Sequence, residues 1–234
     1  MNRQVVLDTE TTGFPWQKGH RIIEIGAYEL LDRKATGETF HVYLNPQRAI
    51  DEGAFSVHGI SEDFLKDKPL FKDVATDFMN FIKGAELLIH NAPFDIGFLN
   101  YELSLLPGTL QTIESVSSIT DTLLLARDKH PGARNSLDAL CKRYDVDNSN
   151  RELHGALLDA ELLAYVYLAM TGGQVGLFAE EEDSHDALGQ HAHAKVDVKA
   201  WALLSIECTS DDLTAHQAYL KAMQSSGACL WLDE

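Results

Sequence analysis

The sequence predicts an α/β fold. Its central sheet is mixed, three antiparallel strands first and parallel strands after, flanked by helices and followed by a flexible C-terminal tail. Three observations predict it. Two long β-rich runs follow the first apolar run with a short turn between them, which is hairpin order. Short apolar runs then alternate with stretches of helical periodicity, the order of parallel strand–helix units. Beyond Gln174 the texture changes to acidic and small residues.

Val5-Val6-Leu7 is the first buried strand and runs directly into Asp8-Thr9-Glu10-Thr11-Thr12-Gly13. After a polar loop from Phe14 to Arg21, Ile22–Leu31 and Thr39–Leu44 are the second and third strands, with a Gly37-centred turn between them. Phe55–Ser61 reads as a helical turn or loop. Ser61 then N-caps a helix with Glu62 and Asp63 in its first turn. Phe71, Val74, Ala75, Phe78, Phe81 and Ile82 fall at helical spacing, and Gly84 ends that helix. Glu86–His90 is a short buried strand. The next helix starts at Asn91-Ala92-Pro93-Phe94-Asp95, with Pro93 in its first turn, and stops at Leu106-Pro107-Gly108. Ser115–Thr120 is read as a strand, with Asp121 leading into a helix over 122–129. His130-Pro131-Gly132 is a turn, and Asn135 caps a helix through Leu137, Leu140 and Tyr144. Gly155–Met170 is a long helix ended by Gly172 and Gly173.

Residues 1–173 therefore form one domain. Residues 179–196, around Glu180-Glu181-Glu182-Asp183, read as a flexible acidic linker. Residues 197–234 regain apolar side chains, among them Trp201, Leu203, Leu204, Leu213 and Tyr219. That piece is too short for a core of its own and is expected to order against a partner.

A 45% apolar content suffices for a core, and the net charge of −17 argues against tight, sequence-independent nucleic-acid binding by a basic surface. A chain of this charge that handles nucleic acid needs metal ions at the phosphate or a partner to deliver it. No run reaches the length of a membrane span, the N-terminus has no signal-peptide pattern, and Cys141, Cys208 and Cys229 lack zinc-like spacing. A cytoplasmic protein without membrane contact is expected.

Asp8 and Glu10, two apart on a strand, share one face with their charges roughly 6–7 Å apart. Two carboxylates that close repel, so one pKa rises unless a cation sits between them. Such oxygen-rich pairs suit Mg²⁺ or Mn²⁺. Asp95 follows the Leu87-Leu88-Ile89 strand in the first turn of a helix, at a strand end where α/β sites collect. On one helix, His154 and Asp159 would point to different faces. Gly155 suggests instead that His154 lies on a loop and Asp159 on the helix, so that both reach one point.

Asp8-x-Glu10, Asp95 and His154-x4-Asp159, in this order, resemble the three motifs of the DEDD superfamily of 3′–5′ exonucleases, in its His-containing branch. Nearly the whole chain resembles the family of epsilon (proofreading) subunits of bacterial DNA polymerase III. The stretches that carry this include Ile22-Ile23-Glu24-Ile25-Gly26-Ala27, His90-Asn91-Ala92-Pro93-Phe94-Asp95 and Arg134-Asn135-Ser136-Leu137-Asp138-Ala139-Leu140-Cys141. The resemblance implies a ribonuclease-H-like fold and hydrolysis with two divalent metal ions, Mg²⁺ or Mn²⁺. Asp8, Glu10, Asp159 and Asp95 would hold the ions, His154 would be the general base, and nucleoside 5′-monophosphates would leave a single-stranded or frayed 3′ DNA end. It also implies that Thr11 and His58 contact the terminal nucleotide. Phe55 and Val57 flank its base in this reading, with Gly53 in the same loop.

Gln174-Val175-Gly176-Leu177-Phe178 resembles the Gln-x-x-Leu-Phe peptide that docks on the bacterial sliding clamp, through Gln174, Leu177 and Phe178. Residues 197–234 resemble the segment that binds the polymerase (alpha) subunit, and a theta subunit is a further partner of the family. Tethering of this kind reconciles −17 with DNA handling. Two other readings remain: an RNA-trimming exonuclease of the same superfamily, and a non-catalytic scaffold of the polymerase complex. The acidic linker and apolar tail argue against the first, and the complete set of four acids and His154 against the second.

Overall fold

The computed structural model describes residues 2–108, 111–149, 151, 153–172 and 209–226. The chain divides into two units, Met1–His185 and Asp186–Glu234. In the first, the elements are β1 (Arg3–Thr11), β2 (Ile22–Leu31), β3 (Lys34–Tyr43), α1 (Glu52–His58), α2 (Glu62–Leu65), α3 (Phe71–Ile82), β4 (Glu86–Ile89), α4 (Ala92–Ser104), β5 (Ser118–Asp121), α5 (Thr122–Lys129), α6 (Leu137–Arg143) and α7 (Ala156–Thr171). In the second, α8 spans Ser210–Ser226 and exposes Leu213 and Tyr219. The expected clamp peptide, the linker and most of the apolar tail lie outside the described residues.

The sheet order is β3-β2-β1-β4-β5. β2 is antiparallel to both β1 and β3, while β4 is parallel to β1 and β5 to β4. The mixed sheet expected from the sequence is thus present. Alternation along β1 sorts its two faces. Val5 and Leu7 pack with Phe71 and Phe78 of α3 and Phe98 and Leu99 of α4. Val6 packs with Leu163 and Tyr167 of α7 on the opposite face. Behind α7, Leu140 and Cys141 of α6 and Ala126 of α5 close a further core.

Four local expectations change. The β2–β3 hairpin turns at Asp32-Arg33, both at positive φ, while Gly37 lies within β3. A two-residue turn with both φ positive matches strand twist, so the hairpin closes there and β3 starts earlier. Phe55 lies within a full helix, α1, instead of a loose turn. The stretch before β5 is a 3-10 turn at Ile113–Ser115, with Thr112 and Ser115 bonded reciprocally, so the strand begins only at Ser118. Ser136, not Asn135, caps α6: its hydroxyl accepts from Ala139 N, while the Asn135 amide is spent on the carbonyls of His130 and Ala133. Ser61 caps α2 as expected, and Asp121, which leads into α5, caps that helix.

Candidate active site

Asp8 and Glu10 share the face of β1 that carries Val6, the face covered by α7. What lets α7 come close is Gly26, which pairs with Asp8 across the β1–β2 ladder. A Cβ there would stand 2.2 Å from the Ala156 carbonyl carbon and the Leu157 nitrogen. The first turn of α7 rests directly on this glycine, and Asp159 lies in that turn. Asp95 arrives from the opposite face. It opens α4, is buried, and accepts a 2.6 Å bond from Thr9 Oγ1, so it reaches around the end of β1. His154 stands on the loop before α7, its Nδ1 3.2 Å from Asp159 Oδ2. Its backbone N–H donates to Val57 O, which ties this loop to α1. Loop-borne histidine and helix-borne aspartate thus meet as the sequence predicts, and Glu10, His154 and Asp159 offer ligand atoms all within 4.8 Å of one another.

The electrostatics are those of a cation site. Burial pushes Asp8 well above the usual carboxylate range, and the neighbouring Asp95, Glu10 and Asp159 push it further. Glu10 is raised to about 8, by burial first and then by Asp159, Glu24 and Asp95. Asp95 is raised to about 7 by burial, against the opposing hydrogen bond from Thr9. Crowded carboxylates of this kind are stable as anions only beside a cation, and their hard oxygens suit divalent ions. The donor set therefore fits divalent metal.

Among the described residues a cation, Arg151, also enters the cluster, and no sequence pattern points to it. Arg151 donates from Nε to Asp159 Oδ1 (2.5 Å) and from Nη2 to Asp159 Oδ2 (2.7 Å), and Nη2 also lies 2.8 Å from His154 Nδ1. A lone arginine in a polar loop carries no local pattern that would reveal this.

Beside Glu10 opens a cleft of about 410 Å³ lined by Thr11, Gly13, Phe14, Gly53, Val57, His58 and Phe94. Of the expected nucleotide contacts it gathers Thr11, Gly53, Val57 and His58. Phe55 lies elsewhere, in a second hollow with Ile50, Glu52, Ser61 and Glu62. The aromatic wall of the cleft is instead Phe14 and Phe94, stacked with centroids 5.9 Å apart at 20°. Phe14 is 68% exposed, and the sequence shows of it only an aromatic in the loop that follows Asp8-x-Glu10. His58 is buried, and burial lowers its pKa. Its Nδ1 accepts from Ile60 N (3.0 Å), which leaves the proton on Nε2, a buried nitrogen on the side of the Thr11 backbone.

A sheet of this order with four acids and a histidine gathered at the end of its first strand defines a metal-dependent 3′–5′ exonuclease. The exonuclease family model matches residues 5–167. The chain is 51% identical to DNA polymerase III subunit epsilon of Escherichia coli K12, over 99% of this chain and 98% of that protein, and 50% identical to the Haemophilus influenzae subunit, over 98% and 94%. Among solved structures, exonuclease X in complex with 5′ overhanging duplex DNA superposes with a TM-score of 0.55 at 27% identity, covering 71% of this chain and 90% of that one. A 3′-exonuclease that recognises the histone mRNA stem-loop gives 0.60 at 20% identity over 73% of this chain and 64% of that one, a likeness of fold. The chain belongs to the exonuclease family and, within it, to the epsilon subunits of DNA polymerase III, which are proofreading 3′–5′ exonucleases. Among the described residues, no helix is long and apolar enough to cross a membrane.

Proposed function

We propose that the chain removes mispaired nucleotides from the 3′ end of DNA as a subunit of a replicative polymerase, with Asp8, Glu10, Asp95 and Asp159 holding two ions, Mg²⁺ or Mn²⁺, and His154 as general base. The observation that carries this is the convergence of Glu10, His154 and Asp159 on one point beside the open cleft. When bound, a metal pair supplies charge stabilisation to the attacking and leaving oxygens and lowers the pKa of water.

The side chains do the rest. His154 is 45% exposed, so its ring reaches both the acids and solvent, and an imidazole suits proton removal near neutral pH. Thr11 and His58 line this cleft together and are the side chains placed to meet the terminal nucleotide. Phe14, Phe94 and Val57 give the base an apolar seat that tolerates any base. Discrimination then rests on fraying: a mismatched end unpairs at lower cost and reaches this seat more often.

The proposed organisation is 1–173 as catalytic domain, Gln174–Phe178 as clamp peptide, 179–196 as linker and 197–234 as the segment for the polymerase alpha subunit. The exposed Leu213 and Tyr219 of α8 support a docking role for that last segment. A theta subunit is a further proposed partner. The acidic tail disfavours a free RNA trimmer, as it disfavours any enzyme that must find nucleic acid by charge alone.

The test compares the full chain with Asp8→Ala and with a chain lacking 197–234, on a 3′-mismatched primer, with Mg²⁺ or chelator, DNA against RNA. Asp8→Ala is expected to lose mononucleotide release and still capture the polymerase subunit. The truncated chain is expected to do the reverse. Full activity of Asp8→Ala, or of any form in chelator, refutes the site, and retained capture by the truncated chain refutes the tail.

A further inference from the structure

A second cleft, of about 450 Å³, lies at the carboxyl end of β4, where His90 and Asn91 lead into α4 one helical turn before Asp95. Its floor is already satisfied. The His90 ring bonds to Asn135 O (2.9 Å) through Nε2 and to Thr122 Oγ1 (3.1 Å) through Nδ1. The buried Asn135 amide is bonded through both ends, to the His130 and Ala133 carbonyls and to Arg143. Such a floor is rigid and asks nothing of a ligand.

The rim is different. The chain has eight arginines. Arg3, Arg21, Arg33, Arg48, Arg143 and Arg151 are all hydrogen-bonded to protein groups. The guanidinium groups of Arg127 and Arg134, both exposed, make no hydrogen bond or ion pair among the described residues; Arg127 lines the cleft, and Arg134, whose carbonyl accepts from Arg143, stands in sequence between the lining residues Ala133 and Asn135. In a chain of net charge −17, residues 127–143 hold five lysines and arginines against Asp128 and Asp138, a local excess of positive charge. Leu124, 60% exposed, lies one turn before Arg127 on the same face of α5 and offers an apolar surface beside the guanidinium.

We infer that this cleft is a second nucleic-acid subsite, in which Arg127 and Arg134 hold phosphates of the single strand on the 5′ side of the scissile bond while Leu124 packs against a base. The inference rests on the exonuclease reading above and extends it. Phe94 lines the cleft beside Glu10 and Asn91, three residues earlier, lines this one, so the start of α4 contributes to both. Unpartnered guanidinium forks match phosphate oxygens, and backbone contacts hold any sequence, as proofreading requires.

The experiment uses the full chain and the double variant Arg127→Gln/Arg134→Gln with Mn²⁺, on two substrates: the p-nitrophenyl ester of thymidine 5′-monophosphate, which has no upstream strand, and a short single-stranded oligonucleotide. The expected result is a KM for the oligonucleotide raised about tenfold, with ester hydrolysis unchanged. The salt dependence of log kcat/KM on the oligonucleotide should become shallower by roughly 1.4, two phosphates at about 0.7 each. Equal effects on both substrates, or none on either, overturn the subsite. If the unsubstituted chain cleaves neither, the residue roles proposed for the catalytic site fail. The cleft is then read by fluorescence anisotropy of the labelled oligonucleotide, where weaker binding by the double variant upholds it and equal binding overturns it.

Discussion

Arg151 grips Asp159 at both oxygens, Nε at 2.5 Å from Oδ1 and Nη2 at 2.7 Å from Oδ2, with both side chains buried. The same guanidinium bonds Asp138 and engages Nδ1 of His154. A guanidinium only donates, so Nδ1 is used as an acceptor in this arrangement. Arg151 thus neutralises Asp159, one of the four acids, and occupies His154 Nδ1 at once.

Arg151→Gln follows from this. Removing one member of a buried ion pair costs about 3 kcal/mol or more, and here it leaves Asp159 beside three other acids. Divalent metal supplies the missing charge. The variant is expected to melt well below the unsubstituted chain in chelator and to recover most of the difference in saturating Mg²⁺. Calorimetry with and without metal reads it, and an equal loss under both conditions would contradict the counter-ion role.

The raised carboxylates set a pH dependence for the metal-free chain. Glu10 stands at about 8 and Asp95 at about 7, with burial the first cause in each, whereas unfolded carboxyls titrate near about 4. Between those limits the folded chain holds protons that the unfolded chain has released. Their contribution to stability is fully present below the unfolded pKa and is lost as pH rises through about 8. Melting in chelator is therefore expected at higher temperature near about pH 5 than near about pH 8.5, with the fall reduced by Mg²⁺. A metal-free profile that climbs across this window contradicts the cluster.

Gly26→Ala tests how the site is assembled. The new methyl would sit 2.2 Å from backbone atoms of Ala156 and Leu157, which cannot rotate away. Overpacking costs typically about 1–3 kcal/mol, and a clash with backbone falls at the upper end. Because the displaced helix carries Asp159, activity should fall further than stability alone explains. Activity assayed well below the melting temperature separates the two, and wild-type turnover there would mean that α7 does not set the acid geometry.

Phe14→Ala and Phe55→Ala separate two exposed aromatics that the sequence could not rank. Base–aromatic stacking is worth about 1–3 kcal/mol per base. Phe14→Ala is therefore expected to raise KM for single-stranded ends about tenfold with kcat little changed, and Phe55→Ala to leave both alone. The opposite ranking in steady-state kinetics would return the base seat to α1.

The four acids and His154 were legible as a set because their order resembles the DEDD motifs, and local pattern placed each: Asp8 and Glu10 at the end of an apolar run, Asp95 in a helix's first turn, and His154 and Asp159 on either side of Gly155. The sheet was legible for the same reason. Local pattern does not say which way a loop residue faces once the chain has closed. Arg151 and Phe14 therefore stand unmarked in polar loops, while Phe55, expected to flank the terminal base, lines a separate hollow on α1. Gly37 looked like a turn, yet the residues at positive φ in that turn are Asp32 and Arg33.

Thr9 shows how a residue on the far side of the strand tunes this site. Its hydroxyl donates a 2.6 Å bond to Asp95 Oδ1, the largest influence holding down a carboxyl that burial raises to about 7. Thr9→Val keeps the shape and removes the donor. Asp95 then titrates higher, so a larger fraction of it is protonated at neutral pH and unable to serve as an anionic ligand. The rising limb of the pH–rate profile should move to higher pH, with activity recovered in alkaline buffer and apparent Mg²⁺ affinity weakened most at low pH. A purely structural role for Thr9 predicts something different: activity lowered by one factor at every pH, with the limb in place. The profile of Thr9→Val against Thr9→Ser, which keeps the hydroxyl and should keep the limb, decides between them.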